Sequence, residues 1–175
     1  QKGLQITDND NATWSLFSRE ENSLIDVNTS GTGTIQLKGD IGAINDATLN
    51  MVLNNEDSWV TAASYTETNF GTTPGTVNLA LTNGSVWNMT DSSHVTNLTM
   101  DNSTVNFLPP GNAGNFKTLT VEGNFNGGGT LNMSTKLGGD NSPTDKLVVE
   151  GDTSGETLVA VTNAGGAGAT AAGGI

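Results

Sequence analysis

The chain contains no cysteine, which removes disulfide frameworks and thiolate zinc sites from consideration. It does not argue against export, because a chain that crosses a membrane unfolded gains from having no premature disulfide. Charged residues make up 14% of the 175 positions, against about a quarter in an average globular domain. Disordered chains are rich in charge and proline, and this one has little charge, 4 prolines and recurring Val/Leu/Met runs. Only 6 residues are basic against 18 acidic. The lack of a basic patch argues against binding to a phosphate backbone and excludes a basic amphipathic membrane helix. The acidic residues are scattered, which suits solubility. No apolar run reaches the roughly 18 residues of a spanning helix. No secretory signal stands at Gln1, and the Gly/Ala-rich residues 164–175 read as a cut through a longer protein, so the chain is expected to be an excised fragment.

What is present is short-range alternation. Ile35/Leu37, Leu49/Met51/Leu53, Val77/Leu79/Leu81, Leu98/Met100, Val105/Phe107, Leu119/Val121, Leu131/Met133 and Leu147/Val149 each place apolar residues two apart, the strand period. Gly, Asn, Asp and Ser fill the intervals with turn chemistry. Only residues 12–27, ATWSLFSREENSLIDV, offer a helical alternative. The strands also repeat. Leu79/Leu81 recur as Leu98/Met100, then as Leu119/Val121 and Leu147/Val149, with steps of about 19, 21 and 28 residues. In parallel, Val105/Phe107 recur as Leu131/Met133, and Leu131 recurs roughly as Leu158. A loose period of about 20 to 28 residues suits one coil of three short strands, with the excess in loops such as 138–144. An antiparallel sandwich also has evenly spaced short strands. It would need more tight hairpin signals than Asn83-Gly84. The expected fold is therefore all-β, a right-handed single-stranded parallel β-helix, or β-solenoid.

The candidates for chemistry have plainer structural roles. Polysaccharide-cleaving β-helices use paired carboxylates or calcium. Glu20/Glu21 and Glu56/Asp57 are sequence neighbours, which on a strand face opposite ways. Asp8-Asn9-Asp10 begins like a calcium loop and lacks the later Gly and Glu. Asp140 and Asp145 flank Ser142-Pro143 and suit turn bonding. His94, the sole histidine, has no nucleophile elbow near it in TDSSHV and is expected at an exposed turn. No catalytic residue, metal site or cofactor is assigned. Abundant Asn suggests stacked amide ladders, useful either for adhesion or, more simply, for satisfying turn backbone.

Residues 115–163 carry a more specific signal. Leu119, Val121, Gly123 and Phe125 form an L-x-V-x-G-x-F block. A Gly-rich turn and strand run from Gly127 to Met133, LGGDNSPTDKLVVEG spans Leu137 to Gly151, and a strand with Asn-x-Gly-Gly-x-Gly runs from Leu158 to Gly168. This resembles the pertactin-like C-terminal segment of bacterial autotransporter passengers, in the AIDA-like adhesin group. Residues 77–114 resemble the preceding rungs, and 1–76 carry only a generic likeness. The resemblance implies three parts: N-terminal rungs or a capping region over 1–76, autochaperone rungs over 77–163, and an end leading toward a β-barrel translocator over 164–175. It implies a structural and chaperone role in a type V secreted adhesin or virulence passenger, at the bacterial cell surface or secreted after transit through the periplasm. The folding core would be Leu119, Val121, Phe125, Leu131, Met133, Leu147, Val149 and Leu158. The partners would be the chain's own upstream rungs and the downstream barrel, with a host surface protein or self-association as the adhesive alternative. A polysaccharide-cleaving enzyme is the remaining reading.

Overall fold

The computed structural model describes residues 3–6, 14–66, 73–112 and 114–170. Every regular element among them is a strand. The first nine are β1 (Gly3–Ile6), β2 (Trp14–Ser18), β3 (Leu24–Val27), β4 (Thr34–Lys38), β5 (Asp40–Ala43), β6 (Thr48–Leu53), β7 (Trp59–Ala62), β8 (Ser64–Tyr65) and β9 (Thr76–Thr82). They continue as β10 (Val86–Met89), β11 (Ser93–Val95), β12 (Asn97–Asp101), β13 (Thr104–Phe107) and β14 (Thr118–Val121). The last five are β15 (Phe125–Gly127), β16 (Thr130–Thr135), β17 (Lys146–Val149), β18 (Thr153–Gly155) and β19 (Leu158–Asn163). Strands three apart in the chain lie side by side. One side is a 7-stranded sheet, β1-β4-β7-β10-β13-β16-β19, and a second is 6-stranded, β18-β15-β12-β9-β6-β3. The third side is carried by two short sheets, β2-β5-β8 and β11-β14-β17. The strand pairs are parallel. Each turn therefore gives one strand to each side, and the fold is the parallel β-helix read from the sequence.

Alternation decides which residues enter the core. In β6, Leu49, Met51 and Leu53 are buried while Thr48, Asn50 and Val52 face outward. In-register stacking then sets like on like: Met51 beside Leu79, Leu79 beside Leu98, Leu81 beside Met100. Trp87 is fully buried between Val60 below and Val105 above, and its Nε1–H donates to the carbonyl of Ala62 at 3.1 Å. The segment 12–27 resolves its ambiguity as strands β2 and β3 over its described part. Trp14, Phe17 and Tyr65 gather on the third side, with ring centroids 4.2 Å apart for Trp14–Phe17 and 5.3 Å for Trp14–Tyr65. Gly42 lies under them, where a Cβ would stand 2.8 Å from the Tyr65 carbonyl oxygen and 3.0 Å from the Trp14 ring.

Asparagine works at two kinds of position. Asn28, Asn83 and Asn102 follow β3, β9 and β12 at stacked corners and take left-handed backbone with φ of 54°, 53° and 45°, which their short polar side chains tolerate. Two further sets lie on strands and point outward. On the second side, Asn97 donates to Asn78, Asn78 to Asn50 and Asn50 to Asp26, each at 2.8 Å. On the first, Asn132 donates to Asn106 at 2.7 Å, Asn106 to Asn88 at 2.8 Å, and Asn88 to Thr61 Oγ1 at 3.2 Å. In both, the Nδ2 donor of the later rung meets an oxygen of the earlier one. The ladders are thus wider in extent than turn satisfaction requires. Asn78→Ala removes two of these bonds and is expected to lower stability by about 1–3 kcal/mol. The check is the urea midpoint at unchanged slope, with Asn141→Ala in an exposed loop as the silent control.

By sequence, residues 116–161 carry the densest apolar pattern. In the structure the buried cluster runs continuously from Val27 to Leu131, and beyond it Met133, Leu147 and Val149 are only partly covered. Sequence pattern counts apolar residues; burial also needs a rung on either side.

Candidate functional site

The terminal rungs hold the residues expected to form the folding core. Leu119 and Val121 are fully buried, Leu131 is 1% exposed and Phe125 6%. Leu119 stacks on Leu147 and Val121 on Val149, as the repeat suggested. Two links of that repeat need correction. Leu98 is stacked not on Leu119 but on Phe125, while Leu119 lies opposite Ser93 on another side of the solenoid. Leu131 is stacked on Val159, and Leu158 sits beside Thr130 on the outward column. Leu158 is 66% exposed and is no part of the core. A register shift by one residue turns every side chain to the opposite face, and L-V-A-V allows either setting by pattern alone. Val159 and Val161 point inward and remain 50% and 60% exposed, because β19 has a neighbour on one side only.

From β4 onward the corners between the first and third sides lengthen along the axis. Gly39 alone separates β4 from β5, Ala63 separates β7 from β8, and residues 90–92 separate β10 from β11. The last two become loops, 108–117 and 136–145. The second loop is a small hairpin. Thr135 and Thr144 form an antiparallel bridge, and Lys136 N–H donates to the Pro143 carbonyl at 2.9 Å. The following tail packs on it, with Leu137 N–H donating to Gly165 at 2.8 Å and Ala164 N–H to Thr135 at 2.7 Å. A side-chain acceptor crosses between turns at most of these corners. Asp40 Oδ1 accepts from Ala63 N–H at 2.9 Å, Ser93 Oγ from Ser64 N–H at 3.2 Å, and Ser92 Oγ from Thr118 N–H at 3.1 Å. At the last, Asp145 accepts from Lys117 N–H at 2.7 Å through Oδ1 and from Ser134 N–H at 2.6 Å through Oδ2. Asp145 is 4% exposed and Lys117 also 4%. The Lys117 ammonium donates to the carbonyls of Leu108 and Asn115, holding the first loop. At the corner between the third and second sides Gly151 stacks on Gly123, where a Cβ would stand 2.4 Å from the Gly123 oxygen.

The carboxylates weighed for catalysis do not converge. Glu20, Glu21, Glu56, Asp57 and Asp140 are exposed, and Asp8 and Asp10 lie outside the described residues. Among the described residues, no three His, Cys, Asp or Glu side chains gather where a metal ion could be held. His94 is on strand β11 rather than at a turn, with Nδ1 3.6 Å from Glu122 Oε1, which also accepts from Thr66 Oγ1. Asp145 is the residue that sequence reasoning undervalued. Its loop position suggested local turn bonding, and the only available sign of a contact with the neighbouring turn was its place directly before the apolar strand KLVV.

A family model described as Autochaperone Domain Type 1 matches residues 93–175. The chain is 53% identical over 67 residues to Uncharacterized protein YdeU of Escherichia coli (strain K12), covering 38% of this chain and 13% of that protein. It is 51% identical over 61 residues to Adhesin BmaC autotransporter of Brucella suis biovar 1 (strain 1330), covering 34% of this chain and 2% of that one. It is 36% identical over 96 residues to Probable autotransporter YcgV of Escherichia coli (strain K12), covering 52% of this chain and 10% of that one. The chain thus spans only a small share of each relative. No solved structure matches it. With the parallel solenoid, these likenesses make residues 93–175 similar to the autochaperone region of autotransporter passengers.

Proposed function

We propose that the C-terminal rungs serve as the folding template of a surface-displayed or secreted autotransporter passenger, an adhesin or virulence factor. The partners are the chain's own upstream rungs and a downstream β-barrel, and the segment acts by folding rather than by catalysis. The observation that carries this reading is the upstream edge of the matched region. It begins at β11, and its strands β12 and β13 hold β9 and β10 in unbroken parallel register, Leu98 on Leu79 and Val105 on Trp87. In a repeat fold each rung contacts mainly its neighbours, so stability propagates from a formed rung to the next. Nucleation is the costly step, and a preformed edge with ordered N–H and C=O groups lowers it. The adhesive role of the passenger rests on the printed name of the Brucella relative alone.

The test is deletion of residues 93–175 from the full-length protein in cells. The expected result is a passenger that becomes protease-sensitive at the surface while the barrel is inserted at its normal level. A passenger that stays fully resistant would show the segment to be a passive spacer.

A further inference from the structure

We infer that Asp145 is the register-setting residue of the terminal turn: its carboxylate closes the 136–144 hairpin and docks β17 onto β14 in one contact, early in folding. The inference concerns this chain's own folding, and only its consequence for a passenger rests on the template reading.

The geometry distinguishes this corner from the others. Ser92 bridges neighbouring turns there with a single hydroxyl and Asp40 with one oxygen, across connections of one to three residues. The 136–145 connection is longer, so closing it costs more chain entropy. Its two ends must also meet the turn beneath in the right register, because a one-residue slip would turn Leu147 and Val149 outward. Asp145 answers both demands. Oδ2 takes the N–H of Ser134 near the end of β16, and Asp145 N–H returns a bond to the Ser134 carbonyl at 2.8 Å, so the hairpin closes on itself. Oδ1 takes the N–H of Lys117, and Lys146 N–H donates back to the Lys117 carbonyl at 2.9 Å. The next ladder pairs, Thr118 with Lys146 and Leu119 with Leu147, follow from that contact. A carboxylate alone offers two acceptor oxygens without a donor, and bonds to an ionised acceptor are the stronger kind. The site is buried, so neither N–H has water as a substitute.

Asp145→Asn keeps the shape and sets an NH2 donor against one of the two N–H groups. In the purified 175-residue chain, it is expected to slow refolding by about tenfold or more while the unfolding rate changes little, the signature of an interaction formed in the transition state. Asp152→Asn, at an exposed position, serves as the control and leaves both rates alone. Faster unfolding with unchanged refolding would make Asp145 an ordinary late contact and overturn the inference. Should the Asn variant fail to fold, pulsed hydrogen exchange on the unaltered chain decides. The Lys117 and Ser134 amides are expected among the first to be protected, and protection only in the last phase would overturn the inference. If Asp145→Asn slows folding in solution yet full-length passenger display is normal, the register role stands and the template reading falls.

Discussion

Replacing Leu119 by Asp is expected to unfold the turns after β13 while leaving the middle of the solenoid folded. Leu119 has no exposed surface and is stacked between Ser93 and Leu147. Truncating a buried leucine to alanine costs about 2–5 kcal/mol, and a carboxylate without a partner costs more. The one polar neighbour in the stack is engaged, since Ser93 Oγ donates to the Asp91 carbonyl at 2.9 Å and accepts from Ser64. Against a total stability of about 5–15 kcal/mol, such a loss removes the end of a repeat array rather than weakening it evenly. Amide exchange should show protection lost in β14 to β19 and kept in β6, β9 and β10. The deficit depends on pH. Burial raises the folded-state pKa of the new Asp above its unfolded value near about 3.9. The folded state therefore binds more protons than the unfolded state in that window, and stability falls as pH rises through it. The variant should be closer to the parent at about pH 4 than at neutrality. Protection in β14 to β19 equal to that of the parent at neutral pH would contradict the burial on which the prediction rests.

Trp87→Ala should act at the centre instead. The indole fills the interior between two valines, and its removal leaves a cavity that neither Val60 nor Val105 can collapse into without leaving its own ladder. The expected loss is about 3–5 kcal/mol. The lost indole bond adds little, because the Ala62 carbonyl also accepts from Thr90 N–H at 3.2 Å and is not orphaned. The larger effect is on cooperativity. A weak central interface divides a repeat protein into halves that melt separately. Calorimetry of Trp87→Ala is expected to give two transitions, and Trp87→Phe, which keeps most of the packing, one. A single transition at a lower temperature in the Ala variant would mean that coupling around the cavity survives it.

The sequence displayed the solenoid because alternation and recurrence survive in nearly every rung, and the pairs Leu79/Leu98, Val105/Leu131 and Leu119/Leu147 were legible from spacing alone. What spacing does not carry is the side of the prism. Leu98 and Leu119 share a pattern and a plausible interval, yet they stand on different sides because the 108–117 loop takes up the difference. Leu158 was misplaced by one residue for want of a turn signal fixing the phase of β19. Asp145 was hidden for another reason. A carboxylate in a Ser/Pro/Thr loop has the composition of a solvated turn, and only the fold of that loop brings two distant N–H groups onto it.

The ladders that join the turns run parallel to the solenoid axis, and this fixes how the molecule meets mechanical load. A pull on the last strand along that axis does not shear a whole sheet at once. It opens the bonds between the final turn and its neighbour, since at that end the outermost strands β17, β18 and β19 lack a partner on one side. The coil then unspools from its end, releasing one turn's length of chain at each step and leaving the rest wound. The last turn goes most easily, because Val159 and Val161 are half exposed and Ala160 stands opposite Asn132, whereas the turns before it are joined by the amide bonds of Asn132, Asn106 and Asn88. When tension is relaxed, the exposed edge is again a seat for the turn just lost, so extension and rewinding follow the same track in opposite directions.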